Sequence, residues 1–134
     1  MNYRILLICL LVVSLSSEAF SQREFKMEGV DTTYVMKRYV FMLLNEGPKR
    51  DQDSVTSEKI QEGHMKHIGE MASTGKMVIA GPFEKGGIHK GILIFDVDSI
   101  SQAIRMESTD PAVVSGRLEM QAIYWWVAKG SKLP

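Results

Sequence analysis

Short apolar runs and amphipathic stretches succeed one another along this chain in a definite order. Residues 39–44, aromatic, β-branched and aliphatic, predict a first strand. Residues 46–55 hold Gly47-Pro48 and several charges and predict a loop. From Ser57 to Thr74 the apolar residues recur at helical spacing, and Gly75 follows where a left-handed residue commonly ends a helix. Residues 77–80 predict a second strand, stopped by Gly81-Pro82, and Gly86-Gly87 marks a turn. Residues 91–95 predict a third strand. Ser99 opens a second helix, with Gln102 placed to complete a capping box, and the helix runs to Thr109. Asp110-Pro111 ends it or starts a short extra turn, Gly116 closes that turn, and residues 118–127 predict a fourth strand.

The order β-α-β-β-α-β is the split βαβ, or ferredoxin-like, arrangement of an α+β domain. Two helices on one face of a four-stranded antiparallel sheet leave the other face wet, which calls for apolar/polar alternation. The pattern departs from this. In the first strand Tyr39, Phe41 and Leu43 point one way and Val40, Met42 and Leu44 the other. The third strand runs Ile92-Leu93-Ile94-Phe95, and the fourth holds Ile123-Tyr124-Trp125-Trp126-Val127. Both faces are apolar, so the expected cover for the second is the same sheet of another copy, in a homodimer. Trp125 and Trp126 point to opposite faces and are expected in core packing.

The first 21 residues read as a targeting segment. Arg4 supplies the positive region, residues 5–15 the apolar region, and Ala19 and Ser21 the small residues before a cleavage point ahead of Gln22. The apolar run is shorter than the ~20 residues a bilayer span needs. The expectation is a periplasmic or secreted protein that leaves no membrane segment after cleavage; the alternative is that the segment is kept as an anchor. Residues 22–37 are polar and without period, and read as a linker or N-terminal arm; the domain is placed at 38–130.

Composition narrows the chemistry. Cys9 is the only cysteine and lies in the targeting segment, so the processed chain has no thiol nucleophile and no disulfide. Basic and acidic residues number 16 each, and cleavage removes Arg4 and Glu18 together, so the processed chain stays neutral. With no basic patch, nucleic acid is not an expected partner. The domain methionines read as core filling.

Topology indicates where a site would form. The helices run antiparallel, which brings His64 of the first to the edge of the domain where Asp110 ends the second. Gly81-Pro82, at the exit of the second strand, and Asn45-Glu46, after the first, reach the same edge. On a wheel of about 100° per residue, Ile60, His64, Ile68 and Met71 share one stripe with His67 on its margin, opposite Lys59, Lys66, Glu70 and Ser73. His64 therefore faces the sheet, and an imidazole beside a carboxylate can be held in one tautomer as a general acid or base. The competing readings are a core histidine that merely packs and an Asp110 that bonds its own turn. His64 and His67 alone make too few ligands for a metal, and no metal or cofactor is expected. His89 is expected in solvent.

His64, followed by Gly75 and Lys-Met-Val-Ile-Ala-Gly-Pro-Phe at 76–83, resembles the YCII-related family, and Asp110-Pro111-Ala-Val-Val-Ser-Gly116 resembles that family's Asp-Pro-x-Val-x-x-Gly. The resemblance covers residues 38–127. It implies a ferredoxin-like domain in a dimeric α/β barrel, with a pocket containing His64 and Asp110 and walled near Gly81 and Pro82. It further implies a cofactor-independent small-molecule enzyme of isomerase, lyase or hydrolase type. The alternative is a non-catalytic small-ligand or stress-related module using the same pocket. The export signal and the arm depart from the family pattern, so no relative's substrate is carried over.

Overall fold

A computed structural model describes residues 23–85 and 87–134; the targeting segment lies outside the described residues. The elements are β1 (Glu24–Glu28), β2 (Thr33–Glu46), α1 (Ser54–Ser73), β3 (Met77–Pro82), β4 (His89–Phe95), α2 (Ile100–Glu107), α3 (Pro111–Val114) and β5 (Leu118–Ala128). From β2 onward this is the ferredoxin-like α+β order, with α3 as a short extra turn before the last strand.

β2 organises the sheet. β5 pairs with it from Met36 to Glu46, and β4 pairs with its other side from Val40 to Asn45; β3 adds beyond β4, all antiparallel. Because side chains alternate along a strand, Val40, Met42 and Leu44 share one face. They are buried with Leu93 and Phe95 of β4 and Met77 of β3, against Ile68 and Met71 of α1 and Ile100, Ala103 and Met106 of α2. Both helices therefore cover the same face.

Local sequence sets the ends of the helices. Asp53 caps α1, its carboxylate accepting the Thr56 N–H at 2.8 Å, so the helix starts one turn before Ser57. Ser99 caps α2 by accepting the Gln102 N–H at 3.2 Å. The box is incomplete, because the Gln102 side chain accepts from the Asp98 N–H and not from Ser99. Gly75 has φ of 70° and Gly116 has φ of 74°, the left-handed turns that return the chain to β3 and β5.

Two expectations are corrected here. Residues 22–37 were expected to be an irregular arm, yet Glu24–Glu28 and the first residues of β2 form an antiparallel hairpin that extends the sheet. Its anchors are not apolar periodicity. Arg23 pairs with Asp96 and Asp98, Lys37 Nζ lies 2.6 Å from Asp96, and Phe25 packs edge-on against Trp126 at 4.8 Å. The tryptophans do point to opposite faces, but neither is in the core: Trp125 is 39% exposed and Trp126 36%. Trp126 lies beyond the reach of the helices, and Trp125 sits on the face they leave open.

A backbone crossing next to the pocket edge depends on Gly47. Its N–H donates to the Arg117 carbonyl at 2.9 Å, and a Cβ there would stand 2.2 Å from the Gly116 carbonyl oxygen. Gly69, within α1, has nothing within 4 Å of that position. Gly47→Ala should therefore lower stability by about 1–3 kcal/mol, while Gly69→Ala raises it by roughly 0.5–1 kcal/mol. Urea unfolding of both variants checks this; a harmless Gly47→Ala would refute the crossing.

Candidate active site

The second helix stops at Glu107, two residues short of the expected Thr109, and Asp110 instead opens α3, where it is fully buried. Its Oδ1 accepts the Ala112 N–H at 2.6 Å and so caps α3, with Pro111 at the first position of the turn. Its Oδ2 lies 2.6 Å from Nδ1 of His64 on α1. Asp110 therefore makes both contacts, one oxygen bonding its own turn and the other the imidazole. The helices approach closely because residue 63 is glycine: a Cβ on Gly63 would stand 2.8 Å from Cγ of Pro111.

Burial alone would push the Asp110 carboxyl up. The His64 hydrogen bond, the Ala112 N–H and the nearby imidazoles outweigh it and hold the group below the ordinary aspartate value. With Nδ1 engaged by a carboxylate, Nε2 is the ring nitrogen left for a bound molecule.

His64 borders a cavity of about 380 Å³. Its wall includes Gly81 and Pro82 from the end of β3, together with Leu44, Ile60, Ile68 and Leu93. The sequence-derived group of His64, Gly81 and Pro82 thus meets around one cavity, with Asp110 directly behind His64. Glu46 lies at the same edge but pairs with Lys90. His89 is exposed and bonds Asn45 at 2.7 Å.

Two residues here escaped the sequence reading. His67, placed on the margin of the apolar stripe, is the most deeply buried residue of α1. Its Nε2 lies 3.2 Å from Oε2 of Glu107, which is fully buried on α2. The pair is in contact but not aligned for a hydrogen bond. His67 Nε2 and both Glu107 oxygens have no hydrogen-bond partner among the described residues. Two imidazoles on α1 therefore face two carboxyls, one at the end of α2 and one at the cap of α3, each pair three residues apart. The signal for Glu107 was present: Ile100, Ala103 and Glu107 follow the helical stripe of α2.

Burial, and then the negative charge of Asp110, raise the Glu107 carboxyl to about 8, so at neutral pH it carries a proton that Asp110 lacks. Donor atoms of His64, Glu107 and Asp110 lie within 4.8 Å of one another, a donor set suited to a cation. The fit is poor, however. Nδ1 and Oδ2 are already spent on each other, and a protonated Glu107 is a weak ligand.

No protein-family model matches the chain, and no curated protein matches it. Among solved structures it is similar to 5-chloro-2-hydroxyhydroquinone dehydrochlorinase from Burkholderia phenoliruptrix AC1100, in complex with 2,5-dihydroxybenzoquinone. The likeness is at 15% identity and a TM-score of 0.43, over 64% of this chain and 90% of that one.

The protonated Glu107 sets a pH dependence of stability. Its folded-state pKa lies above the unfolded one, so the folded state holds an extra proton between about 4.5 and about 8. The stability this contributes is complete at the acid end and is lost as pH rises through that window. Asp110, whose value is lowered, is ionised in both states there and adds no slope. Across the window the wild type should lose on the order of a few kcal/mol relative to Glu107→Gln, which mimics the protonated acid. Urea midpoints at a series of pH values measure the difference. Parallel curves for the two proteins would mean that Glu107 is ionised in the fold.

Proposed function

We propose that this chain is an exported, YCII-like small-molecule enzyme that uses His64 as general acid and base. The observation that carries the reading is the 2.6 Å contact between His64 Nδ1 and a buried Asp110, beside a cavity of small-ligand size. Asp110 holds the ring in the tautomer whose Nε2 accepts a proton, and its charge offsets the imidazolium that forms. Nε2 then takes a proton from a C–H or O–H acid in the cavity and returns it to product. That serves isomerisation or elimination without a cofactor. The motifs around His64, Gly81-Pro82 and Asp110-Pro111 support the family assignment.

Exchange of carbon-bound hydrogen with solvent tests this directly. In D2O the wild type should wash deuterium into members of a panel of enolisable carbonyl compounds and enol lactones. His64→Ala should slow the exchange by about 10²–10⁴-fold. Asp110→Asn should also slow it, although it keeps a side chain able to cap α3. Equal rates in the wild type and His64→Ala would end the proposal. Binding without exchange in the wild type would favour the non-catalytic ligand-binding module.

The proposal includes export and a homodimer. Residues 1–21 support the first. The second is supported by the sheet face that no helix covers, where Ile123 is 53% and Trp125 39% exposed and Phe41 packs edge-on against Trp125 at 6.1 Å. Native mass spectrometry on protein from an exporting host should find a dimer of a chain that begins at Gln22. A monomer, or a chain that keeps its first 21 residues, would remove the corresponding part.

A further inference from the structure

An electrically neutral chain places three cations on the wall of one cavity. Arg50, Lys90 and Arg117 border it with His64, and among the described lining residues there is neither aspartate nor glutamate. The cations are not equivalent. Lys90 is neutralised by Glu46 at 2.5 Å. Arg117 is half-buried and donates from Nη1 to Gln52 Oε1 at 2.8 Å and to Ser57 Oγ at 3.2 Å, both uncharged acceptors. Arg50 donates to the Arg117 carbonyl at 3.0 Å. Neither arginine forms an ion pair among the described residues. A half-buried guanidinium oriented by neutral acceptors is a charge whose counterion is missing, because protein interiors otherwise pair such groups.

The position of that charge is equally specific. The Arg117 N–H donates to the Ala112 carbonyl, and the Arg117 carbonyl receives Gly47, so the residue is tied to the turn that Asp110 caps. The backbone that carries the fork is thus bonded to the same turn whose capping aspartate holds the imidazole. Apart from Gln61 the rest of the wall is apolar or glycine, including Ile60, Ile68, Leu93 and Leu118, and the volume of about 380 Å³ lies toward the small end for ligand pockets.

We propose that the cavity takes a compact, largely apolar organic acid, with its carboxylate on Arg117, assisted by Arg50, and its reacting atom at His64. A planar fork matches a carboxylate in two parallel hydrogen bonds. The apolar wall suits an unsaturated or aromatic body. Anchoring at one end places the other end at Nε2, which is what proton transfer from an otherwise featureless apolar ligand needs. This rests on the reading of the cavity as the active site and deepens it by naming the substrate class.

Benzoate and its neutral analogue benzamide serve as probes, with binding followed by calorimetry on the full processed chain. Benzoate should bind about 10–100-fold tighter than benzamide, the range of a charge-assisted hydrogen-bond pair. Arg117→Gln should abolish that preference while leaving benzamide binding in place. Arg50→Gln should reduce it, and does so at an exposed residue where folding is not at stake. His64→Ala should keep the benzoate preference although it loses proton exchange, so the anion reading and the catalytic reading fail separately. The proposal is overturned if benzamide matches benzoate on the wild type, or if the preference survives both arginine substitutions. Phenyl phosphate binding tighter than benzoate would overturn the choice of carboxylate.

Discussion

The structure turns on one buried negative charge. Asp110 has no exposed surface, and an ion there is tolerable only because each oxygen is answered, one by the Ala112 N–H and the other by His64. Those two bonds join a local turn to a helix far away in sequence. They also dictate the state of the next carboxyl. With Asp110 ionised, a second charge on Glu107 would face both burial and repulsion, so Glu107 keeps its proton. One carboxylate thus caps a turn, selects a tautomer and divides the protons of the cluster.

Packing makes the arrangement reachable. Gly63 lets Pro111 sit against α1 where any side chain would hold it off. β2 lies between β4 and β5, and the end of β3 with the turn entering β5 brings Gly81, Pro82 and Arg117 around the same cavity as His64. Gly47 allows the loop after β2 to cross the turn before β5 at backbone contact. The cavity wall is assembled from elements that meet only through such close crossings. Its polar groups are divided accordingly, with the His64 imidazole at one side and, at another, guanidinium groups that form no ion pair among the described residues.

Much of this was legible in the chain. Short runs of β-branched, aromatic and aliphatic residues bounded by Gly and Pro identified the main part of β2, β3, β4 and β5, because strand preference and turn chemistry are local. Ser99 and Gly75 marked helix ends because capping is a local interaction. His64 and Asp110 stood out because antiparallel helices bring them to one edge, the helical wheel turns His64 inward, and both match the motifs. The first hairpin was not legible, since Arg23, Lys37 and Asp96 hold it by ion pairs across long sequence separations. His67 was misplaced because the wheel describes one helix, whereas α2 buries the flank on which His67 lies.

The sequence by itself determined the order of elements from β2 onward, the near-continuous apolar character of the strands, and His64 and Asp110 as candidates near one edge. These follow from periodicity and backbone geometry, which act over a few residues. Only the tertiary structure decided that Asp110 serves the turn and His64 together, that Glu107 keeps its proton, and that Arg50 and Arg117 border the cavity with no ion-pair partner among the described residues. Burial and the nearness of other charges set each of these states. Both are properties of groups that the chain brings together only when it folds.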